Sequence, residues 1–317
     1  MDEHSKNKAL QTLQKVQTGK DVASILENAY QPVFSREQKE LLRKQLQQKH
    51  LDRFDITILL KNLLLKDEAL IETVEKFIKQ KSTGKYVKKT IRQPVQYSLI
   101  VIDEAENYLK EQINLIKTCV NPKTNSVIYV GDLVQQTLLW TIRDWNTANE
   151  QFQENRQVIL HKVYRNTRQI LEFILSIGYK VAVPANIKEG KNVVEKIVKN
   201  KSEEVQYLSE LVEKTKDKSI GILAKTEAYL KDYKSQFSQQ ENVHVLTINE
   251  AQGVEFERVF VIGINKELYN TENLSEEIAQ ERRRVNRDLL YVAFTRAIDE
   301  LYVLGTSKIK ELLLTTS

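Results

Sequence analysis

Apolar residues recur at three- and four-residue spacing from the start of the chain to about residue 95. Such spacing places them on one face of an α-helix, so the pattern predicts helices. Ser35 followed by Gln38 has the spacing of a capping box and marks one helix start. The pattern continues through 55–65 and 67–80. We therefore predict an all-helical N-terminal segment over residues 1–95.

The end of this segment is strongly basic, because no acidic residue occurs between Lys79 and Pro94. The cations of this stretch are Lys79, Lys81, Lys85, Lys88, Lys89 and Arg92. A charge run that ends at a proline is a candidate domain boundary, and it is also a candidate contact for a polyanion.

From Tyr97 onward, short apolar runs rich in β-branched residues alternate with helical stretches. The runs occupy 97–102, 126–130, 157–160, 219–224, 243–247, 258–263 and 300–305. Continuous apolar strands separated by helices indicate parallel sheets that are covered on both faces. The sequence thus predicts an α/β fold, in which ligands bind beyond the carboxyl ends of the strands.

Composition narrows the classes of function. With 317 residues, 41% of them hydrophobic, the chain can bury the cores of two domains. One cysteine, Cys119, and four histidines argue against a disulfide framework and against a zinc site. No apolar run approaches the roughly 20 residues that span a bilayer, so we expect a cytoplasmic protein without membrane contact. The net charge of +5 adds little to this picture.

The first apolar run ends in Asp103 and Glu104. A buried strand that runs into two carboxylates is costly unless they hold a cation or a proton, and this is the arrangement of a Walker B site. In such a site one carboxylate, here Asp103, holds Mg²⁺, and its neighbour orients and deprotonates the attacking water. The alternative is an acidic helix N-terminus, where the helix dipole favours carboxylates. The two residues alone leave both alternatives open.

Four further segments, taken with Asp103 and Glu104, resemble the motifs of UvrD/Rep-like superfamily-I DNA helicases in order and spacing. They are GDLVQQTLLW (131–140), VILHKVYRNTRQILEFI (158–174), VLTINEAQGVEFERVFVIG (245–263) and RDLLYVAFTRAIDELYVLG (287–305). The resemblance implies RecA-like parallel sheets with flanking helices. It divides the chain into the end of an insertion (1–95), the remainder of a first RecA-like domain (96–156) and a second RecA-like domain (157–317).

The resemblance implies ATP and Mg²⁺ as the cofactors. It implies that Gln135 and Arg165 contact the γ-phosphate and that Arg296 is an arginine finger. Arginine suits both positions, because its planar fork neutralises charge that is spread over phosphate oxygens. The resemblance also implies that Tyr164 stacks on the adenine and that Glu255 contacts the ribose.

The resemblance further implies single-stranded or partly duplex DNA as a partner. Trp140 holds the position of a ring that stacks on DNA bases, a contact that suits every base. The alternative for Trp140 is a tryptophan of the core. Thr247 begins the fifth motif and is expected at the nucleic acid, and Gly253 in the same motif lets backbone approach a ligand.

Several positions depart from the family pattern. Glu106 and Asn107 replace the glutamine and aspartate that follow the acidic pair, which leaves the coupling to the neighbouring motif open. Asn249 and Gln252 replace a histidine and a lysine of the fifth motif. Loss of that lysine predicts a weaker contact with the DNA backbone.

The phosphate-binding loop of the family has the pattern G-x-x-x-x-G-K-(S/T). This pattern does not occur in the sequence, since no two of the nine glycines in the chain have the required spacing. The segment between Gly178 and Ser219 is too short for the large second insertion of UvrD itself. In this respect the chain resembles a smaller, HelD-like relative. We therefore expect the carboxyl-terminal part of a helicase or translocase, active with an N-terminal helicase fragment that carries the loop. The alternative is a degenerate module that binds nucleic acid or RNA polymerase without hydrolysing ATP.

Overall fold

The computed structural model describes residues 19–67, 69–133, 135–159, 165–214, 217–272 and 274–314. The chain divides into two compact units. Unit 1 comprises the residues up to Asp103 together with Tyr108–Val130, and unit 2 comprises Glu104–Asn107 together with the residues from Gly131 onward. The domain boundaries expected near residues 95 and 156 stay predictions.

The described part of unit 1 begins with helices α1 (Gly19–Tyr30), α2 (Arg36–Gln47) and α3 (Arg53–Asp67). The predicted capping box is confirmed at the start of α2. There the Ser35 side chain accepts from the backbone of Gln38, whose own side chain accepts from the backbone of Ser35. The helical prediction therefore holds for the described residues up to the end of α3.

Residues 71–94 form an antiparallel hairpin of strands β1 (Ile71–Lys79) and β2 (Tyr86–Pro94), so the prediction of helix here is wrong. Apolar spacing over a short region fits a helix and a strand almost equally well, and β-branched residues then favour the strand. The sequence signal that could have found the hairpin is the turn at Gly84, which has a φ of +66°.

Unit 1 ends in the parallel pair β3 (Ile100–Ile102) and β4 (Val127–Tyr129), with helix α4 (Lys110–Lys117) between them in sequence. Both strands were predicted. One face of this pair carries large apolar side chains that are 48–56% exposed. These side chains, which we call the open face, are Leu99, Val101, Ile128 and Val130. Parallel sheets are normally covered on both faces, so the open face lacks the cover that such a sheet usually has.

Unit 2 is built on a five-stranded parallel sheet with the strand order β5-β9-β8-β6-β7. The strands are β5 (Val194–Ile197), β6 (Ile220–Ala224), β7 (Val243–Thr247), β8 (Phe256–Ile264) and β9 (Ala297–Gly305). The predicted α/β class is thereby confirmed, and the sequence missed only β5 among these strands. The run at 157–160 is not a strand at its described residues, where Val158 and Ile159 are exposed and pack against no core.

Helices cover both faces of this sheet. Helices α5 (Arg168–Ser176) and α8 (Glu276–Thr295) pack on one face, and α6 (Lys201–Glu213) and α7 (Glu227–Gln236) pack on the other. The short helix α9 (Ile309–Leu314) follows the last strand. Because side chains alternate along β8, Val259 packs in the core beneath α5 and α8, and Phe260 packs in the core beneath α6 and α7. Both residues are fully buried. None of the helices in the described ranges is long and apolar enough to cross a membrane.

Candidate functional site

Three charged residues predicted around the nucleotide, Arg165, Glu255 and Arg296, lie near one another within unit 2. Arg165 Nε lies 2.8 Å from Glu255 Oε1. Arg296 ends helix α8 and is only 6% exposed, and its Nε donates to the Val292 carbonyl at 3.2 Å. Burial lowers the pKa of Arg296 and the neighbouring Arg165 lowers it further, whereas Glu255 and Glu104 act to raise it. The two arginines therefore lie within electrostatic range of each other and of two carboxylates.

Glu255 and Arg296 lie at the amino ends of neighbouring strands. Glu255 precedes β8 and Arg296 precedes β9, and the backbone N–H of Phe256 donates to the Arg296 carbonyl at 3.0 Å. Thr247, expected at nucleic acid, instead ends β7 at its carboxyl end. Since the strands of this sheet are parallel, Glu255 and Arg296 lie at its amino-end edge and Thr247 lies at its carboxyl-end edge. Of these three residues, only Thr247 follows the rule of carboxyl-end binding.

Asn166 fixes the backbone around Arg296, a role that the sequence did not reveal. In the sequence, Asn166 and Gln169 have the spacing of a helix N-cap and its third helical position, but the cap residue of α5 is Thr167. Asn166 is 1% exposed, and its Nδ2 donates to the carbonyls of Thr295 at 3.2 Å and Ala297 at 2.7 Å. The only sequence signal is the position of Asn166 directly after Arg165.

Two predicted site residues adopt a backbone conformation that side chains disfavour. Glu104 has a φ of +50° and Trp140 a φ of +63°. Positive φ is tolerated by asparagine but is uncommon for glutamate and tryptophan, and such strain persists only where the surrounding structure holds it. Strain of this kind is concentrated at functional sites.

The substituted residue Glu106 contacts the motif that follows it. Its Oε2 accepts from the backbone N–H of Asp132 at 3.0 Å, and a Cβ at Gly131 would overlap the same carboxylate. Gln135, in turn, donates from Nε2 to Asp132 Oδ2 at 2.9 Å. Burial, and then a hydrogen bond with the Glu104 side chain, raises the pKa of Glu106 to about 8. Glu106 therefore forms a hydrogen bond with the neighbouring motif despite the substitution.

Two further departures, Asn107 and Gln252, meet at a single hydroxyl. Gln252 Nε2 donates to Thr137 Oγ1 at 2.7 Å, and Thr137 Oγ1 donates to Asn107 Oδ1 at 3.3 Å. Thr137 is 2% exposed. The two residues that replace the family aspartate and lysine are thus joined through one buried threonine, and Gln252 points into the protein.

Asp103, the expected Mg²⁺ ligand, follows β3 and belongs to unit 1. No group of three or more potential metal ligands occurs among the residues that the structure describes. Mg²⁺ in nucleotide sites is commonly held by one or two carboxylates together with phosphate oxygens, and it prefers hard oxygen ligands. The carboxylates of Asp103 and Glu104 supply oxygen ligands of this type.

Trp140 is 39% exposed, and its backbone is held by a buried carboxylate that the sequence analysis missed. Its N–H donates to Glu281 Oε1 at 2.7 Å. Glu281 also pairs with Arg143 at 3.1 Å and with Arg284 at 2.7 Å. Burial alone would raise the pKa of Glu281, but its bonds to Arg284 and Trp140 outweigh burial and lower it. The sequence signal that could have identified Glu281 is its position directly before three successive arginines, 282–284.

The other predicted residues have less distinctive surroundings. The amide and hydroxyl of Thr247 both donate to Glu250 Oε2, at 2.8 and 2.9 Å. Gly253 has a φ of +78°, and a Cβ there would meet nothing within 4 Å, so open space adjoins its backbone. Tyr164, expected at the adenine, lies outside the described residues.

Comparison with known proteins gives a consistent set of relatives. A family model described as the UvrD-like helicase C-terminal domain matches residues 98–308. The RecBCD enzyme subunit RecB of Chlamydia pneumoniae is 33% identical over 92 residues, which are 27% of this chain and 9% of that protein. A probable DNA helicase II homolog of Mycoplasma capricolum subsp. capricolum is 29% identical over 202 residues, which are 59% of this chain and 26% of that protein.

One solved structure is similar over half of the chain. It is the C-terminal domain of a possible DNA helicase from Lactobacillus plantarum WCFS1, at 24% identity and a TM-score of 0.34, covering 49% of this chain and 95% of that one. The chain spans about a quarter or less of the length of the curated relatives named above.

Proposed function

This chain belongs to the UvrD-like helicase C-terminal domain family, and we propose that it is the carboxyl-terminal part of an ATP-dependent superfamily-I DNA helicase or translocase. The observation that supports this best is the grouping of Arg165, Glu255 and Arg296 from three separate motifs. Phosphoryl transfer is catalysed mainly by positioning and by neutralising charge on phosphate oxygens. Two arginines held close together are suited to that task.

In this proposal Glu255 holds Arg165 in place until the substrate arrives. The Arg165 side chain is 62% exposed, so a phosphate can reach it and replace the carboxylate as its partner. Arg296 then neutralises charge that develops during transfer, and Gln135 senses the terminal phosphate. Glu104 orients the attacking water. Asp103 holds Mg²⁺, which when bound neutralises charge on the phosphates.

The phosphate-binding loop would come from outside this chain, on an N-terminal helicase portion. The proposal is supported by the missing loop pattern and by the open face of unit 1. A loop-bearing strand and its neighbours would cover Val101 and Ile128, which now meet solvent. Apolar patches of this kind mark surfaces that associate.

The test is to measure ATP hydrolysis by the chain alone and after adding a polypeptide with the loop and leading strand of a UvrD-like helicase. Alone, the chain should hydrolyse ATP negligibly, because nothing cradles the β- and γ-phosphates. The mixture should form a complex and hydrolyse ATP when DNA is present. Val101→Lys should block assembly, because it places a charge on the open face.

Val33→Lys is the matched control, because Val33 is also in unit 1 and is 72% exposed. It should assemble and hydrolyse ATP normally. DNA-stimulated turnover by the chain alone at about 1–100 s⁻¹, the range of typical phosphoryl-transfer enzymes, would contradict the requirement for an external loop.

We further expect Trp140 to contribute to DNA binding. Stacking of a base on an exposed ring contributes roughly 1–3 kcal/mol, so Trp140→Ala should weaken binding of a single-stranded oligonucleotide by that amount at fixed salt. Trp145→Ala is the control, because the Trp145 ring packs edge-on against Phe152 at 5.4 Å between centroids. Unchanged affinity in Trp140→Ala, measured by fluorescence anisotropy, would assign Trp140 to a structural role.

A second candidate function is a nucleic-acid-binding module without hydrolysis. It is favoured by the inward contact of Gln252, which replaces a lysine of the family pattern. A chain that binds DNA but gains no ATPase activity with any loop-bearing fragment would support this second function over the first.

A further inference from the structure

One side of the hairpin of β1 and β2 is exposed at every residue except Ile71. Side chains alternate across a strand, and the cross-strand register places Phe77, Lys79, Tyr86, Lys88 and Arg92 on this side. We call these five residues the aromatic face. Phe77 is 70% exposed and Tyr86 is 68% exposed. Two large rings therefore stand in solvent on neighbouring strands.

Packing of the hairpin does not account for these rings. Its apolar packing is on the opposite side, where Val74, Val87 and Ile91 are half-buried. An exposed ring gives up the favourable free energy that burial of a large aromatic side chain would contribute. Two such rings on the solvent side therefore call for a ligand that covers them.

The charges beside the rings indicate the chemistry of that ligand. Phe77 lies directly across from Lys88, and Tyr86 lies directly across from Lys79, so each ring has a cation as its cross-strand neighbour. Arg92 extends the positive charge along β2. The acid on this side, Glu75, pairs with Lys88 at 2.6 Å. The aromatic face thus combines flat apolar surfaces with an excess of positive charge.

We propose that the aromatic face binds single-stranded nucleic acid, with bases stacked on Phe77 and Tyr86 and phosphates beside Lys79, Lys88 and Arg92. Single strands expose both components that this face matches, unpaired bases with π-faces and a chain of phosphates. A duplex or an acidic protein would engage the cations but would offer the rings no unstacked bases. The inference rests on the proposed function for the choice of DNA as the ligand. It involves residues of unit 1 alone and does not require bound ATP.

The rings are tested in the full chain by fluorescence anisotropy with a labelled mixed-sequence single strand. Phe77→Ala/Tyr86→Ala should weaken binding about tenfold or more, because stacking on each ring is lost. Phe77→Tyr/Tyr86→Phe keeps both rings and should retain the parent affinity. Circular dichroism should show the same fold for both variants.

The cations are tested with a matched pair of double variants. Lys79→Gln/Arg92→Gln removes one charge from each strand on the aromatic face, and Lys76→Gln/Lys89→Gln removes one from each strand on the opposite side. The first should lower the slope of log affinity against log salt by about one to two, because about two phosphate contacts are lost. The second should leave the slope close to that of the parent.

The outcomes separate this inference from the proposed function. Two results together would show that net charge alone attracts the nucleic acid: an equal fall in the salt slope in the two charge variants, and an unchanged affinity in Phe77→Ala/Tyr86→Ala. They would overturn the proposal that the aromatic face is a binding site. Equal affinity for duplex and single strand in the parent would overturn it as well. If Trp140→Ala abolishes binding and the ring variants do not weaken it, the proposed function stands and this inference fails.

Discussion

Replacing Arg296 with alanine is expected to lower ATP turnover by about 10³–10⁵-fold in the proposed complex of this chain with a loop-bearing fragment, and to leave assembly intact. An arginine finger acts mainly on the transition state, where charge on the transferred phosphoryl group is greatest. Burial lowers the pKa of Arg296, which indicates a desolvated guanidinium, and a phosphate is a well-matched partner for such a group. The measurement is steady-state ATPase with saturating DNA, alongside gel filtration of the complex.

Arg283→Ala is the matched control on the same helix. Arg283 pairs at 2.8 Å with Glu276, and their side chains are 20% and 72% exposed. Because the carboxylate of this pair is solvated, the pair contributes little to stability. Its turnover should equal that of the parent. Arg296→Lys should recover only part of the loss, because lysine keeps the charge but lacks the planar fork. If Arg296→Ala retains turnover within tenfold of the parent, another group performs the role assigned to Arg296.

The second large effect is expected on stability, from Glu300 in β9. Glu300 pairs with Arg258 at 2.7 Å, Lys191 at 3.0 Å and Lys218 at 3.2 Å, and the side chains of Glu300 and Arg258 are only 4% and 8% exposed. Glu300→Ala removes the buried carboxylate that pairs with the buried Arg258. Breaking a buried pair in this way costs about 3–5 kcal/mol in free energy of unfolding. Urea denaturation at pH 7 measures this difference.

The neighbouring Asp299 provides the control. It pairs with Lys188 at 2.9 Å, but its side chain is 37% exposed, so Asp299→Ala should cost less than about 1 kcal/mol. A similar loss in free energy of unfolding in the two variants would show that burial of the Glu300–Arg258 pair does not increase its contribution to stability.

The effect of Glu300 should also depend on pH. Burial alone would raise the pKa of this carboxyl, but Lys191, Lys218 and Arg258 outweigh burial and lower it from 4.5 to about 2. A depressed pKa in the folded state stabilises the fold above the unfolded value and ceases to do so as the pH falls through the folded value. The stability difference between the parent and Glu300→Ala should therefore be largest above pH 4.5 and shrink toward pH 2.

The sequence predicted the central strands of unit 2 because they are buried on both faces and therefore read as uninterrupted apolar runs. All five residues of β6 are buried, for example. Edge strand β5 reads VEKI and carries two charges in four residues, so no such run marks it. The β1–β2 hairpin was missed for a related reason: one of its sides is exposed, and its apolar spacing resembles that of a helix.

The candidate site was predictable only where a residue matched a family motif. Arg165, Glu255 and Arg296 were named from such matches, and the structure brings them together. The contact from Gln252 through Thr137 to Asn107 depends on residues that are far apart in sequence. Asn107 and Gln252 each looked like an isolated departure in the sequence, and only the distances in space show that both contact Thr137.

Asn166 has a consequence for how the two arginines meet a nucleotide. Its amide holds the carbonyls on both sides of Arg296, and its own backbone continues directly from Arg165. Long side chains lose considerable rotamer freedom when a ligand immobilises them. Asn166 ties together the backbones that carry the two arginines, so in the proposed site their relative position would be set when the protein folds, before ATP binds. A phosphate would then meet two cations with fixed backbone positions, and only their side chains would remain to be ordered.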